Sequence, residues 1–344
     1  MSNKLKIIDL FAGIGGIRLG FEKASNYNIE CVFTSEWDKY SVQTYKANFG
    51  NEHIYGDITQ VGLDEIPEHD ILLAGFPCQP FSQAGLKKGF CDTRGTLFFD
   101  IERILESKKP KAFLLENVKQ LKGHDKGRTL EVILEHLRAI GYENVQYQVL
   151  RARDFGLPQN RERIYIVGFL DNNIIFNFPT PSFKKTRVGD ILEENVDPKY
   201  TISDRLWAGH QRRKRENKLK GKGFGYGMVN HNSEYTNTIS ARYYKDGSEI
   251  LIEQEGKNPR KLTPREAARL QGFPDTFEIP VSDTQAYRQF GNSVPVNVVE
   301  KVAAEMLSCL ASQEENEQEH NKALHKRKPT QPACDKRSLS FLAR

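Results

Sequence analysis

The chain has 344 residues, a formal net charge of +5 and a hydrophobic fraction of 38%. That is ample for one large core or two smaller ones, and no apolar run approaches the roughly 20 residues of a membrane span, so none is expected. Cys31, Cys78, Cys91, Cys309 and Cys334 are scattered without a C-x-x-C pair, so neither a disulfide framework nor a zinc site is indicated, and no metal is expected.

Met1-Ser2-Asn3-Lys4 leads straight into apolar sequence with no secretory leader, and a cytoplasmic setting is expected. Lys6 to Leu10 reads as a first strand. Phe11-Ala12-Gly13-Ile14-Gly15-Gly16 follows, then a helix to about Phe21. A strand, a glycine-rich turn and a helix N-terminus can cradle a nucleotide, because glycines admit close approach and free amides face the ligand. Alone, the pattern fits a tight βα turn equally well. The next strand, Cys31 to Ser35, ends at Glu36-Trp37-Asp38. An acid there can accept from a ribose diol, and Trp37 offers an aromatic face to adenine. A helix from Lys39 to Phe49 leads to a third strand end at Gly56-Asp57-Ile58-Thr59. Asp57 can accept from an adenine amino group and Ile58 can pack on its ring, although Asp57 alone could be a cap. Together the three strand tips predict an adenosine site. With no G-K-[ST] there is no P-loop, and an adenosine-bearing methyl donor fits better than a nucleoside triphosphate.

Ile71-Leu72-Leu73-Ala74 is a buried strand, and Gly75-Phe76-Pro77-Cys78-Gln79-Pro80-Phe81-Ser82 follows it. Cys78 therefore stands just past the carboxyl end of a strand, where open α/β sheets carry their chemistry. Two prolines stiffen the loop around it. A buried structural thiol is the bland alternative for a lone Pro-Cys. Arg94 to Phe99 opens a helix ending near Ser107. Lys111 to Leu115 is another buried strand, ending in Glu116-Asn117-Val118, so a carboxylate at the adjacent strand tip can serve as acid–base partner to Cys78. Thr129 to Ile140 is an amphipathic helix. Val145 to Leu150 and Ile164 to Phe169 form a strand pair, and Gln159-Asn160-Arg161-Glu162-Arg163 lies between them. Strand alternation would turn Arg161 and Arg163 to one side, facing an anionic or carbonyl-rich substrate.

These motifs, with Leu262 to Pro274 and Gln289-Phe290-Gly291-Asn292-Ser293-Val294-Pro295, match in order and spacing one family. From Lys6 to about Leu310 the chain closely resembles the bacterial 5-cytosine DNA methyltransferases, the modification enzymes of restriction–modification systems. The resemblance implies an α/β fold: a doubly wound, Rossmann-like methyltransferase sheet from residues 1–180 and 284–310, with a target-recognition domain, 181–283, inserted. It implies S-adenosylmethionine as methyl donor, double-stranded DNA as substrate, a monomer, and a cognate restriction endonuclease as functional partner. By analogy Cys78 attacks C6 of a flipped cytosine, Glu116 contacts N3 and the exocyclic amine, Arg163 holds O2 and Arg161 orders the pocket. Phe11 and Trp37 would flank the adenine, Glu36 would bind the ribose and Asp57 and Ile58 would meet the adenine edge, beside Gly13, Gly15 and Gly16. Pro77, Leu97, Asn292 and Ser293 would complete that site. Residues from about Ser82 to Arg94 would close on the DNA.

The 181–283 stretch is the least family-like part. Arg212-Arg213-Lys214-Arg215 with Lys218, Lys220 and Lys222 forms a basic cluster that can neutralise phosphates or simply be a solvated loop. Thr236 to Tyr244 combines hydroxyls, an amide, an arginine and aromatics of the kind that read base edges. Thr238 and Arg242 are the candidate DNA contacts there, with an ordinary strand threonine as the alternative for Thr238. Thr263 should cap a helix with Pro264 in its first turn. From about Ala311 onward, polar and charged sequence predicts disorder. Two rival readings remain: an RNA cytosine methyltransferase, disfavoured because A-form RNA offers no readable major groove, and a catalytically dead DNA-binding module, disfavoured by intact Cys78, Glu116, Arg161 and Arg163.

Overall fold

The computed structural model describes residues 4–26, 28–50, 53–77 and 97–326, the side chains of 314–326 excepted. Cys78, Ser82 and Arg94 lie outside the described residues.

Six strands form one sheet. β1 (Leu5–Leu10), β2 (Ile29–Ser35), β3 (Ile71–Gly75) and β4 (Ala112–Val118) run parallel; β6 (Glu162–Phe169) is antiparallel to both β4 and β5 (Gln146–Arg151). The spatial order is β2-β1-β3-β4-β6-β5. The chain leaves β1 first to one side and then returns to the other, so β1 and β3 flank a switch point at their carboxyl ends.

Strand alternation sorts the core into two layers. Ile8, Leu72, Phe113 and Ile166 face α3 (Phe98–Lys108) and α4 (Arg128–Ala139). Ile7, Leu73, Leu114 and Val167 face α1 (Gly16–Ala24) and the first turns of α8 (Val296–Lys326). The sheet is thus covered on both faces, as the sequence predicted, and α8 brings the end of the chain onto its beginning.

Residues 181–283 are mostly irregular. They hold α5 (Asp204–Leu219), the two-residue strands β7 (Met228–Val229) and β8 (Leu251–Ile252), and α6 (Pro264–Leu270); α7 (Asp283–Asn292) follows. Thr263 caps α6 as expected, and Glu266 completes a reciprocal capping box. A third core joins Ile239, Tyr243, Leu262 and Phe273 of this region to Ala286 and Phe290 of α7, to Val296, and to Ile14 and Leu19 near the glycine turn.

Three expectations need correction. The third strand end at Gly56 is only a single parallel bridge, Ser35 to Tyr55, followed by a 3-10 turn over Ile58–Gln60. β4 continues through Glu116, which pairs opposite Tyr165, so Glu116 lies within the strand. The disorder expected from Ala311 gives way to helix as far as Lys326. Glu, Gln, Lys and Ala dominate that stretch and no Gly or Pro interrupts it before Pro329, so polarity did not prevent helix formation.

Candidate active site

A cavity of about 1010 Å³ opens at the switch point. The turn after β1, the tip of β2, the 3-10 turn, the end of β3, the end of β4 and the C-terminal part of α7 all line it.

At one end stand the adenosine candidates. Phe11 takes a left-handed φ of 53°, unusual for a side-chain-bearing residue and typical of a constrained functional turn. Gly13 (φ 56°) has open space where a Cβ would be, so the turn is accessible on that side. Glu36 Oε2 accepts from the Gly13 amide at 2.7 Å and Oε1 from the Asp38 amide at 2.8 Å. One carboxylate thus locks the tips of β1 and β2 together and keeps lone pairs for a ligand's hydroxyls. Burial pushes its pKa up, against those amide bonds. Trp37 is 80% exposed, an aromatic face with no protein cover. Asp57 caps the 3-10 turn through Oδ1, which accepts from the Thr59 amide at 3.0 Å, and Ile58 is buried beside it.

Gly15 departs from the expectation. It does not line the cavity; its φ of 79° and the Phe49 ring, which any Cβ would strike, make it a packing glycine. Gly16 does both jobs, since it lines the cavity and a Cβ there would come within 2.7 Å of Ser293 Oγ. Asn292 and Ser293, at the end of α7, close this wall, while Pro77 and Leu97 also reach the cavity.

At the other end lie Glu116 and Arg163. Arg163 Nε stands 3.1 Å from Glu116 Oε1, and Nη1 donates to the Glu162 carbonyl at 2.8 Å. Burial raises the Glu116 pKa, while Arg163 and then Arg161 pull it down. The net direction is upward, which makes the carboxyl easier to protonate than a free glutamate.

Arg161 does not line the cavity. It is fully buried, and its guanidinium donates to the carbonyls of Ile239 and Gly291 at 2.9 Å each and to that of Ser293. The two arginines therefore divide: one faces the cavity and the other ties three distant chain segments together. Burial, with the nearby Arg163 charge, lowers the Arg161 pKa to about 9, which leaves it cationic at neutral pH. Its neighbour Gln159 makes the same kind of tie, accepting from the Ile239 amide and donating to the Leu270 carbonyl.

Thr238 and Arg242 lie outside the cavity. The Thr238 hydroxyl donates to the Asn160 carbonyl at 2.7 Å and so latches its segment to the loop before β6. Arg242 is exposed at the following turn.

Sequence reasoning passed over several residues. Asn117 Nδ2 donates to the Phe76 carbonyl at 2.9 Å and so holds the backbone that leads into Pro77 and Cys78. Its place beside Glu116 was the available signal. The Tyr165 hydroxyl, opposite Glu116, is buried and has no hydrogen-bond partner among the described residues. Gln285, Arg288 and Gln289 line the cavity from α7, and only the fold could show that. Among the described residues no group of three or more His, Cys, Asp or Glu side chains is placed to hold a metal, and no helix is long and apolar enough to cross a membrane.

The profile of the C-5 cytosine-specific DNA methylases matches residues 5–308. The type II methyltransferase M.NlaX of Neisseria lactamica is 72% identical over 307 residues, covering 89% of this chain and 97% of the relative. The type II methyltransferase M.SsoII of Shigella sonnei is 64% identical, over 90% of this chain and 82% of its own length. Among solved structures, the Dnmt2 methyltransferase of S. pombe superposes with a TM-score of 0.74 at 22% identity, over 89% of this chain and 99% of that one, a likeness of fold.

Proposed function

Because the chain belongs to the C-5 cytosine-specific DNA methylase family, we propose that the cavity is its active site and that the protein methylates one short DNA sequence as the modification partner of a restriction endonuclease. The activity itself, transfer of a methyl group to C5 of cytosine in DNA, goes with the family, and so does S-adenosylmethionine as methyl donor. The observation that carries the site assignment is the two-ended cavity: an aromatic and acidic adenosine end and a carboxyl–guanidinium end share one space at the switch point. The relatives named as type II methyltransferases support the restriction–modification setting, and with it the bacterial cytoplasm.

When bound, S-adenosylmethionine supplies a methyl group activated on a sulfonium. Trp37 and Phe11 would flank its adenine, Glu36 would accept from its ribose, Asp57 and Ile58 would meet the adenine edge, and Gly13, Gly16, Pro77, Leu97, Asn292 and Ser293, which line the same cavity, would hold the rest. The open face of Trp37 and the unfilled space over Gly13 suit that occupant.

The remaining work falls on the protein's own side chains. C5 of cytosine is a poor nucleophile until C6 is attacked. Cys78, next in sequence to cavity-lining Pro77, bonds C6 as a thiolate. Glu116, whose burial favours taking up a proton, donates at N3 as charge develops there, and Arg163 holds O2. The ring is then an enamine, nucleophilic at C5. Loss of the C5 proton after methylation expels Cys78 and restores the aromatic ring. The target is stacked inside a duplex, so the base must first be flipped out, at an expense of a few kcal/mol. Residues 181–283 read the sequence, with Thr238 and Arg242 on the reading segment, and Ser82 and Arg94 belong to the stretch that meets the DNA around the flipped base.

The test is conversion sequencing of DNA from a methylation-free bacterial host that expresses the chain. Dense 5-methylcytosine at one short motif is expected, and none from a Cys78→Ala variant that still binds duplex. Methylation retained by that variant would remove Cys78 as nucleophile. No motif above background would sink the DNA reading and send the protein to an RNA assay.

A further inference from the structure

Most of the basic cluster of the 181–283 region lies on α5, with Lys220 and Lys222 just past its end. Residues 204–222 hold eight Lys or Arg against two Asp or Glu, a net of +6 in a chain whose whole formal charge is +5. All the rest of the sequence is therefore close to neutral, and the excess is local.

α5 has two faces. Leu206, His210 and Arg213 turn inward: His210 Nε2 lies 3.1 Å from the Asp246 carbonyl and Arg213 Nη1 is 3.0 Å from Asp246 Oδ2. The opposite stripe, at helical spacing, is Arg205, Ala208, Arg212 and Arg215, with Lys218 on its flank, all exposed. Two acids border the stripe, and both are engaged: Asp204 Oδ1 accepts from Asn258 Nδ2 at 2.6 Å, and Glu216 sits 3.8 Å from Arg212. Among the described residues, Arg205, Arg215 and Lys218 have no ion-pair partner. Like charges one turn apart destabilise a helix, and of this stripe only Arg212 is offset, by Glu216. That arrangement calls for an anionic surface outside the chain.

The helix is also tied to the cavity. Arg288, which lines it, stacks 4.8 Å over the Tyr244 ring. Tyr244 and Asp246 belong to one run of turns, and Asp246 braces Arg213 of α5. Exposed Arg242 and Lys245 lie along the same run. At 1.5 Å per residue, the stripe from Arg205 to Lys218 spans about 20 Å, roughly six base-pair steps of B-DNA at 3.4 Å each.

We propose that the exposed face of α5 is a sequence-independent clamp for the phosphates of duplex DNA, set beside the active site to hold the helix while residues 236–244 read its bases. The proposal rests on the DNA reading above. Phosphate contacts fix register and orientation and carry no sequence information, which suits a stripe of long basic side chains with no amide or hydroxyl among them.

The experiment measures binding of the full chain, by fluorescence anisotropy between 50 and 300 mM KCl, to two 30-bp duplexes: one containing the motif found by conversion sequencing and one with that motif shuffled. The variant is Arg205→Gln/Arg215→Gln/Lys218→Gln, with Arg205→Lys/Arg215→Lys as the charge-retaining control. Unchanged affinity for S-adenosylhomocysteine shows that each variant is folded. The clamp predicts that the triple variant binds both duplexes at least about tenfold more weakly at 100 mM salt, by the same factor, with a log–log salt slope shallower by about 2–3, and that the lysine control stays near wild type. Wild-type affinity and slope in the triple variant would overturn the clamp and leave α5 a solvated face or the seat of an acidic protein. A loss confined to the motif duplex would overturn it too, by making the helix a base reader. Wild-type protein that binds neither duplex would instead bring down the DNA reading itself, and the clamp with it.

Discussion

Between Leu5 and Phe169 main-chain pairing does the positioning: Glu116, Asn117 and Arg163 are held in register on neighbouring strands. Between 181 and 283 the only paired strands are two residues long, and position is held by buried side chains. Arg161 reaches across from the sheet side to the Ile239 carbonyl and on to those of Gly291 and Ser293, Arg260 Nη1 meets Glu266 Oε2 at 2.7 Å in a buried pair, and Tyr243 donates to the Ile250 carbonyl and accepts from the Leu262 amide. A sheet can lose a side chain and keep its geometry. A region stitched by a few anchors cannot.

The largest effect should come from separating chemistry from structure on the sheet side. Glu116→Gln keeps the shape and removes the acid; methyl transfer is expected to fall by about 100-fold or more while the melting temperature stays put. A matching loss of stability would show Glu116 to be structural. On the anchored side the reverse is expected. Arg161→Met leaves three carbonyls without their donor and should cost about 3 kcal/mol or more of stability, read as a shifted denaturation midpoint. A shift below about 1 kcal/mol would erase the contrast between the two regions.

The sheet side also holds a titrating group. Asp9 lies under the glycine turn with Tyr45 Oη at 3.3 Å, and burial pushes its pKa from 3.8 up to about 7, against Arg18 and the Tyr45 hydrogen bond. Between those values the folded state keeps a proton that the unfolded chain releases. Stability from this group therefore falls as pH rises from about 4 to 7 and levels off above, by something on the order of 2–4 kcal/mol. Asp9→Asn should remove that part of the slope in denaturation at pH 5 and pH 7.5; an unchanged slope would assign it elsewhere. The smallest effect is expected at Tyr165, whose buried hydroxyl has no partner among the described residues. Tyr165→Phe should be neutral or stabilising by up to about 1 kcal/mol, and a clear loss would reveal a partner for that hydroxyl.

β1, β3 and β4 were legible because each is a short apolar run ending at a chemically distinctive tip, and the capped helix α6 because Thr263 and Pro264 signal locally. Alternation could not tell Arg161 from Arg163, because it fixes which side a residue takes but not what waits there; the carbonyls that Arg161 meets come from segments far along the sequence. Gly15 looked like a ligand glycine because spacing cannot tell a cradle from a packing contact with Phe49. The basic cluster gave its composition but not its helix, since eight cations mask the periodicity that Leu206 and His210 would otherwise show.

One consequence follows from α8. Val298, Val302 and Met306 complete the layer over Ile7, Leu73 and Leu114, so strands formed from the first third of the chain wait for a helix made near its end. Such long sequence separation slows folding. During synthesis the apolar face of β1, β3 and β4 has only α1 against it until residues past 296 leave the ribosome, a window in which a nascent chain cannot yet close its active-site wall.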